Sequence, residues 1–466
     1  MMKLATQTVE FNSALLRKYD QALPRYTSYP PATELKENFG ELDLRAAIAV
    51  GNYKNTPLSL YFHIPFCETA CYFCGCNTII TQRKEIVDPY LNYVARNIQQ
   101  FSSLISSKRQ VHQLHWGGGT PNYLSLQQVE FLWNNINQQF SFDENAEISI
   151  EINPRYVDRN YIFFLKSLGF NRISFGIQDF NPQVQESINR VQPESMLFNV
   201  MEWIRDAGFE SVNVDLIYGL PYQSLATFKN TIAKTIKLDP DRVAVFNFAY
   251  VPWMKPVQRK IPQSALPQAS EKLDILKMTI EELTGNGYWF IGMDHFAKPN
   301  DELTIAQQEG KLHRNFQGYT TQPESDLFGF GITSISMLHD VYIQNIKQLK
   351  SYYHAIDLGI MPIEKGVSLN RDDILRRTVI MELMCQFRLS IDDVEEKYHI
   401  AFDTDFNEYF ARELSELRLL EADGLIRMIP NGIEVTPSGR LLIRNIASIF
   451  DAHTRQRKNA AFSKAI

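Results

Sequence analysis

From residue 58 to about 295, short apolar runs alternate with segments of helical period. LSLYFHI (58–64), QVHQLHW (110–116), EISIEIN (147–153), RISFGIQ (172–178), SVNVDLIYG (211–219), RVAVFNFA (242–249) and YWFIGMDHFA (288–297) read as strands. The stretches 88–105, 125–140, 158–169, 193–208, 224–238 and 270–287 read as helices. Pro89 suits the start of the first helix and Gly169 the end of the third. Alternation this regular predicts about seven parallel βαβ units with right-handed crossovers. An α/β barrel, full or partial, fits better than an open doubly wound sheet because of where the chemistry-bearing residues fall. Cys67, Gly117 to Gly119, Glu151, Gln178, Asp215 and Ala249 sit at or just after predicted strand C-termini, which a barrel gathers on one face.

The flanks differ. Residues 1–50 are polar and aromatic, and PRYTSYPP (24–31) disfavours helix, so an extended arm that packs on the main domain is expected. Beyond about 365, three helices (371–387, 390–400, 406–424), a hairpin (425–429 with 433–436) and a last helix (440–450) resemble a winged-helix module. The expected partition is an N-terminal arm (1–50), a catalytic barrel domain (51–365) and a mainly helical C-terminal lid domain (366–466).

With 466 residues, 44% hydrophobic and 21% charged, the chain has the composition of a soluble globular protein of two or three domains. A net charge of -6 argues against nucleic acid as partner, so the winged-helix-like part is read as a lid. No run approaches a membrane span, and the first residues show no secretory leader, so a cytoplasmic protein is expected. Cys385 stands alone in an apolar context and reads as a buried small hydrophobe. The other four cysteines, Cys67, Cys71, Cys74 and Cys76, crowd into HIPFCETACYFCGC. In a cytosolic protein such crowding points to a metal site rather than a disulfide frame. One short loop spaced CxxxCxxC can hold three corners of a cuboidal iron–sulfur cluster and leave one iron open. A structural zinc site using all four thiols is the alternative, but zinc sites usually pair two separated knuckles.

CxxxCxxC after the first strand, with GGGTP (117–121) after the second, resembles the radical S-adenosylmethionine (SAM) superfamily. The resemblance implies an α/β fold, a partial (β/α) TIM-like barrel, with a 4Fe–4S cluster on Cys67, Cys71 and Cys74 and with Cys76 outside the ligand set. SAM chelates the open iron in that superfamily and is cleaved to a 5′-deoxyadenosyl radical. Tyr61, Phe73, Gly118, Gly119, Thr120, Glu151, Gln178, Arg190, Asp215 and Ala249 are implied to hold it.

PRYTSYP (24–30), LHWGGGTPNYL (114–124), EISIEINPR (147–155), NVDLIYGLP (213–221), GMDHFA (292–297) and HRNFQGYTT (313–321) further resemble the oxygen-independent coproporphyrinogen III oxidase family. That resemblance implies decarboxylation of two propionates of coproporphyrinogen III to vinyls, a reductant and electron acceptor of unspecified identity, and a monomer. It also implies a second SAM near Phe316, Gln317 and Ile335. Arg25 and Arg314 are candidate partners for substrate carboxylates. Asn153 and Val191 depart from the pattern, each standing where an acidic residue is expected. A heme-handling paralogue is the competing reading. Its kind generally lacks the CxC cysteine, the arm and the NFQGYTT segment, and all three are present here.

Serine at Cys67, Cys71 or Cys74 is expected to abolish the cluster, and Cys76→Ser to leave its assembly largely intact. Iron and sulfide content after anaerobic reconstitution checks this, and loss of iron in Cys76→Ser alone contradicts the ligand assignment.

Overall fold

The computed structural model describes residues 8–37, 39–398 and 405–456. Two compact units divide it. The larger comprises Leu35–Ile275 and Glu324–Ser368, the smaller Met1–Glu34, Leu276–Pro323 and Leu369–Ile466.

In the larger unit six strands follow the predicted rhythm: β1 (Leu58–Ile64), β2 (Gln110–Gly118), β3 (Ser141–Ile152), β4 (Arg172–Gln178), β5 (Ser211–Tyr218) and β6 (Arg242–Asn247). Each pairs in parallel with the next. A later strand, β7 (Asp326–Phe330), adds in parallel to the free side of β1. Three antiparallel strands continue from it: β8 (Ile335–Leu338), β9 (Val341–Asn345) and β10 (Ile363–Ser368). The result is a partial (β/α) barrel.

β7 is a parallel strand that the periodicity does not announce, and the strand expected over 288–297 is not continuous. That segment folds back on itself in the smaller unit as Trp289–Gly292 antiparallel to His295–Ala297. Gly292 at φ 143° and Met293 at φ 54° supply the left-handed turn.

Helix α1 (Glu41–Lys54) precedes β1, and the crossover helices are α2 (Val87–Ser102), α3 (Leu126–Gln139), α4 (Arg159–Ser167), α5 (Pro182–Ser187), α6 (Glu194–Asp206) and α7 (Leu225–Leu238). In α2 the buried Tyr90, Leu91, Val94, Ile98 and Phe101 recur at three- and four-residue steps, the apolar stripe that seats a helix on a sheet. Capping boxes start α3 at Ser125 and Gln128, and α7 at Ser224 and Thr227.

The strands alternate. Leu60, Phe62, Ile64, Leu114, Trp116, Ile150, Ile173, Phe175, Val212 and Val214 are buried in the hydrophobic core. The intervening positions are polar and bond across strands, as in Ser59 to Gln113 (3.0 Å), Gln113 to Glu147 (2.9 Å) and Asn213 to Ser174 (2.8 Å). Period-two side-chain direction thus gives the sheet one apolar and one polar face.

In the smaller unit helices Arg371–Gln386, Ile391–Tyr398, Phe406–Tyr409 and Ala411–Ala422 accompany a three-stranded sheet of Arg388–Ser390, Gly432–Val435 and Ile426–Ile429. The expected helix 406–424 is broken at Phe410, fully buried beside Phe406 and Phe450. The arm is not wholly extended. Asn12 caps helix Ser13–Lys18, and Tyr26, Arg25 and Pro24 bond to Asp451, Asp294 and Arg444 of the same unit. Leu35 to Val50, expected in the arm, belong to the larger unit, and residues 276–323 to the smaller. Residues 1–7, 399–400 of the expected helix 390–400, and 457–466 lie outside the described residues. Among the described residues no helix is long and apolar enough to cross a membrane.

Arg109 anchors the start of β7. Its Nη2 lies 2.5 Å from Asp326 Oδ2 and its Nε donates to the Thr56 carbonyl at 2.6 Å. Burial pushes the Asp326 carboxyl up and the Arg109 guanidinium down, each partly restored by the other. Removing one partner strands a buried charge, so Asp326→Ala is expected to cost about 3–5 kcal/mol. Chemical denaturation measures it.

Candidate functional site

The cysteine loop grows from the end of β1 and is closed at its root. Phe66–Cys67 pairs in parallel with Ile79–Ile80. The Ile79 amide donates to the Pro65 carbonyl at 2.7 Å and the Thr81 amide to the Cys67 carbonyl at 2.9 Å. Between these struts the Cys74 amide turns back onto the Cys71 carbonyl at 3.2 Å. The far side is docked on α5, with the Tyr72 amide to the Ile188 carbonyl (2.9 Å) and Asn189 Nδ2 to the Ala70 carbonyl (2.7 Å). Tyr72 and Phe73 pack against the apolar cluster of Val184, Ile188, Ile217, Leu220, Phe248 and Ile261. Gln258, buried, ties three strands of chain together. Its Nε2 donates to the carbonyls of Phe73 (3.3 Å) and Ala249 (3.1 Å), and its Oε1 accepts from the Val251 amide (2.6 Å).

Two guanidinium groups face the loop. Arg155 Nη2 and Arg190 Nη1 each lie 3.8 Å from Cys71 Sγ. Arg190 is buried and held by Gln192 Oε1 (3.0 Å) and the Gly176 carbonyl (3.2 Å). Cys67 Sγ lies 3.3 Å from the buried Thr120 Oγ1. Burial pushes the Cys67 thiol up to about 11. The hydrogen bond with Cys76 pulls Cys74 down, and burial opposes it. Fixed positive charge of this kind favours the thiolate form that metal ligation requires.

The glycine run lets β1 and β2 end in contact. A Cβ on Gly118, at φ 112°, would meet the His63 ring at 2.6 Å, and one on Gly119 would meet the Pro65 carbonyl oxygen at 2.6 Å. The Gly119 amide donates to the Ile64 carbonyl (2.8 Å) and the Gly118 amide to Glu151 Oε2 (3.2 Å). Both amides therefore already have partners within the chain.

Next to them the polar face of the sheet carries a continuous row. The Tyr61 ring stacks on His115 with centroids 5.9 Å apart. His115 bridges Ser149 (2.7 Å) and Glu151 (3.4 Å). Tyr61 OH donates to His63 Nδ1 (3.1 Å), whose Nε2 donates to the Asn77 carbonyl (3.0 Å). Burial holds His63 below its ordinary value, which fits this neutral tautomer. Burial pushes Glu151 up, but His115 and the Gly118 amide outweigh it and hold the carboxylate below its usual range. Asp215 behaves oppositely. Burial, with Glu151 adding, drives its carboxyl up to about 7 against the hydrogen bond from Asn213. Asp215 sits inside β5 opposite Gly176 and Ala244, three residues short of the strand end. Gln178 ends β4 at φ 67°. Its buried Oε1, like that of Asn247 Oδ1 at the end of β6, has no hydrogen-bond partner.

A loop of four thiols beside two arginines, and orphaned acceptors at neighbouring strand ends, fit a thiolate-held cluster with a polar nucleoside-bearing ligand next to it.

The radical SAM superfamily pattern matches residues 61–234, and the HemN C-terminal domain pattern residues 369–442. The chain is 67% identical over 460 residues to the oxygen-independent coproporphyrinogen III oxidase of Synechocystis sp., covering 98% of this chain and 99% of that one. It is 47% identical over 464 residues to the oxidase of the same name from Escherichia coli, covering 99% and 100%. The solved structure of the Escherichia coli coproporphyrinogen III oxidase, described as a radical SAM enzyme, superposes with a TM-score of 0.91 at 47% identity, covering 96% of this chain and 100% of that one. The chain belongs to the oxygen-independent coproporphyrinogen III oxidase family.

The larger unit of this family member brings Tyr61, Phe73, Gly118, Gly119, Thr120, Glu151, Gln178, Arg190, Asp215 and Ala249 to neighbouring strands and loops of one sheet. Phe316 and Gln317 form the turn of the hairpin His313–Asn315 with Gly318–Thr320 in the smaller unit. Ile335 starts β8 in the larger. Arg314 is buried over the Tyr319 ring at 4.2 Å, and Arg25 pairs with Asp294. His63, His115, Arg155 and Gln258 were not foreseen. His63 was detectable as the residue two after Tyr61, on the same strand face. Nothing local marks Gln258, which acts through tertiary contacts.

A carboxyl that folds with its value raised to about 7 keeps its proton on folding, so it loses stability as pH rises from about 4 towards 7. In the cofactor-free protein Asp215→Asn is expected to raise the melting temperature, by a margin that grows between about pH 5 and about pH 8. A gain independent of pH contradicts the buried acid.

Proposed function

We propose that this chain converts coproporphyrinogen III to protoporphyrinogen IX without dioxygen, by oxidative decarboxylation of two propionate side chains to vinyls. One observation carries the reading: the match to the Synechocystis oxidase at 67% identity from end to end of both chains. A 4Fe–4S cluster and SAM are the cofactors, with Cys67, Cys71 and Cys74 as the proposed cluster ligands. When bound, they supply a carbon radical able to take a hydrogen atom from an unactivated C–H bond.

The chain's own residues provide the setting. Arg155 and Arg190 offset thiolate charge at Cys71. Glu151, held as a carboxylate by His115 and the Gly118 amide, suits ribose hydroxyls at a strand end. Gln178 offers its unpartnered Oε1 as a further acceptor. Burial raises the Asp215 carboxyl to about 7, which lessens the second negative charge beside Glu151. Tyr72 and Phe73 fasten the loop through packing. Phe316, Gln317 and Ile335 are proposed for a second SAM by family resemblance, and a monomer is the proposed state. Each decarboxylation removes a hydrogen atom, carbon dioxide and one further electron, so an electron acceptor is required.

The test is anaerobic turnover of reconstituted protein with SAM and dithionite. Release of carbon dioxide and formation of protoporphyrinogen IX are expected. Stable heme binding without turnover supports the heme-handling alternative instead, and zinc without iron or sulfide ends the cluster reading. Equilibrium dialysis with labelled SAM distinguishes one bound molecule from two. Glu151→Ala is expected to raise the SAM concentration for half-maximal cleavage about tenfold, the loss of one charge-assisted contact, with iron content unchanged.

A further inference from the structure

The segment after β6 leaves apolar surface exposed beside the cysteine loop. Trp253 is 69% exposed and Met254 60%. Aromatic residues and Met are the types enriched at protein interfaces, and contiguous exposure of this kind marks an interaction site. Cations surround it. Lys255, Arg259 and Lys260 follow within seven residues, and from Arg242 to Ser270 the sequence contains no Asp or Glu in a chain of net charge -6. Among the described residues neither Arg259 nor Lys260 pairs with a carboxylate. The adjoining elements add little negative charge. Glu68, in the cysteine loop, is paired with Lys84 at 2.9 Å, and α5 contributes Glu186 alone.

This patch is continuous with the cysteine loop. Lys255 Nζ donates to the Cys76 carbonyl at 3.2 Å. Lys260 Nζ stands 4.9 Å from the centroid of the Tyr72 ring. Gln258 holds the Phe73 carbonyl. Lys255, next in sequence to Met254, thus ties the exposed pair directly to Cys76 of the cysteine loop. Electron transfer weakens steeply with distance, and a reductant must come close to the metal centre.

We propose that Trp253, Met254, Lys255, Arg259 and Lys260 form the docking surface for a small acidic protein carrying a low-potential one-electron centre. The inference rests on the proposed radical SAM reading. In the step, the reduced carrier gives up one electron and is oxidised, and the cluster on the cysteine loop gains it. No bond is made or broken at the patch and no proton moves. A small, charge-steered and short-lived interface is the usual form of such redox encounters.

Holoenzyme with full iron and sulfide content is mixed anaerobically with reduced plant-type 2Fe–2S ferredoxin, and cluster reduction is followed by stopped-flow absorbance. Binding of the oxidised ferredoxin is followed by calorimetry. Trp253→Ser and the pair Arg259→Glu with Lys260→Glu are each expected to lower the ferredoxin rate about tenfold at low salt, and to weaken binding. Dithionite-driven SAM cleavage should stay within about twofold of the parent, as expected for a change in encounter alone. Added salt should slow the parent and not the double variant. Unchanged ferredoxin rates in both variants overturn the proposal. So does a Trp253-dependent self-association, or binding to phosphatidylglycerol vesicles, with ferredoxin rates intact. Failure of dithionite-driven SAM cleavage in the parent overturns the radical SAM reading itself, a distinct result.

Discussion

At the root of the cysteine loop the Gly119 amide reaches the Ile64 carbonyl at 2.8 Å, and a side chain on Gly119 would strike the Pro65 and Phe66 backbone. This contact joins the C-terminal ends of β1 and β2, and the rest of the site is arranged around it. It places Thr120 against Cys67, sets the Gly118 amide on Glu151, and fixes where the parallel pair Phe66–Cys67 and Ile79–Ile80 leaves the sheet. A methyl group here would have to displace backbone, not a flexible side chain, so the glycines serve packing before they serve any ligand.

Around this contact, opposite electrostatic settings lie close together. Glu151 and Asp215 are carboxyls on neighbouring parts of one polar sheet face. Two donors keep the first ionised, and burial keeps the second protonated towards neutrality. Two acids set apart by their hydrogen-bond donors and by neighbouring charge thus present one acceptor and one potential donor. The polar lining of the sheet exists because most second strand residues are polar, with Tyr61, Gly176 and Ala244 among the exceptions, while the alternate residues are mainly apolar and buried.

Much of this was legible in the chain. β1 and β4 were read with the boundaries observed, because both have apolar alternation bounded by turn residues. The cysteine spacing and GGGTP announced the loop and its neighbour. β7 was not legible: DLFGF is five residues long and its partner β1 lies far away in sequence. Residues 288–297 carried enough apolar character for a strand, and only the positive φ at Gly292 and Met293 reveals the reversal. The break at Phe410 answers to burial among aromatic rings from distant segments. Gln258 and Arg155 matter through contacts that join separate loops, and sequence periodicity carries no trace of those.

The pairing of Leu58 with Asp326 has a consequence for biogenesis. β1 emerges early during synthesis, but the neighbour that covers its outer edge comes only after the whole intervening polypeptide has been made. Until then β1 presents bare amide and carbonyl groups to the surroundings, a template for unwanted pairing with other nascent chains. The buried Arg109–Asp326 pair is the latch that ends that vulnerable period. Conditions that slow translation across the middle of the message would therefore be expected to cost yield through aggregation rather than through any loss in the finished enzyme.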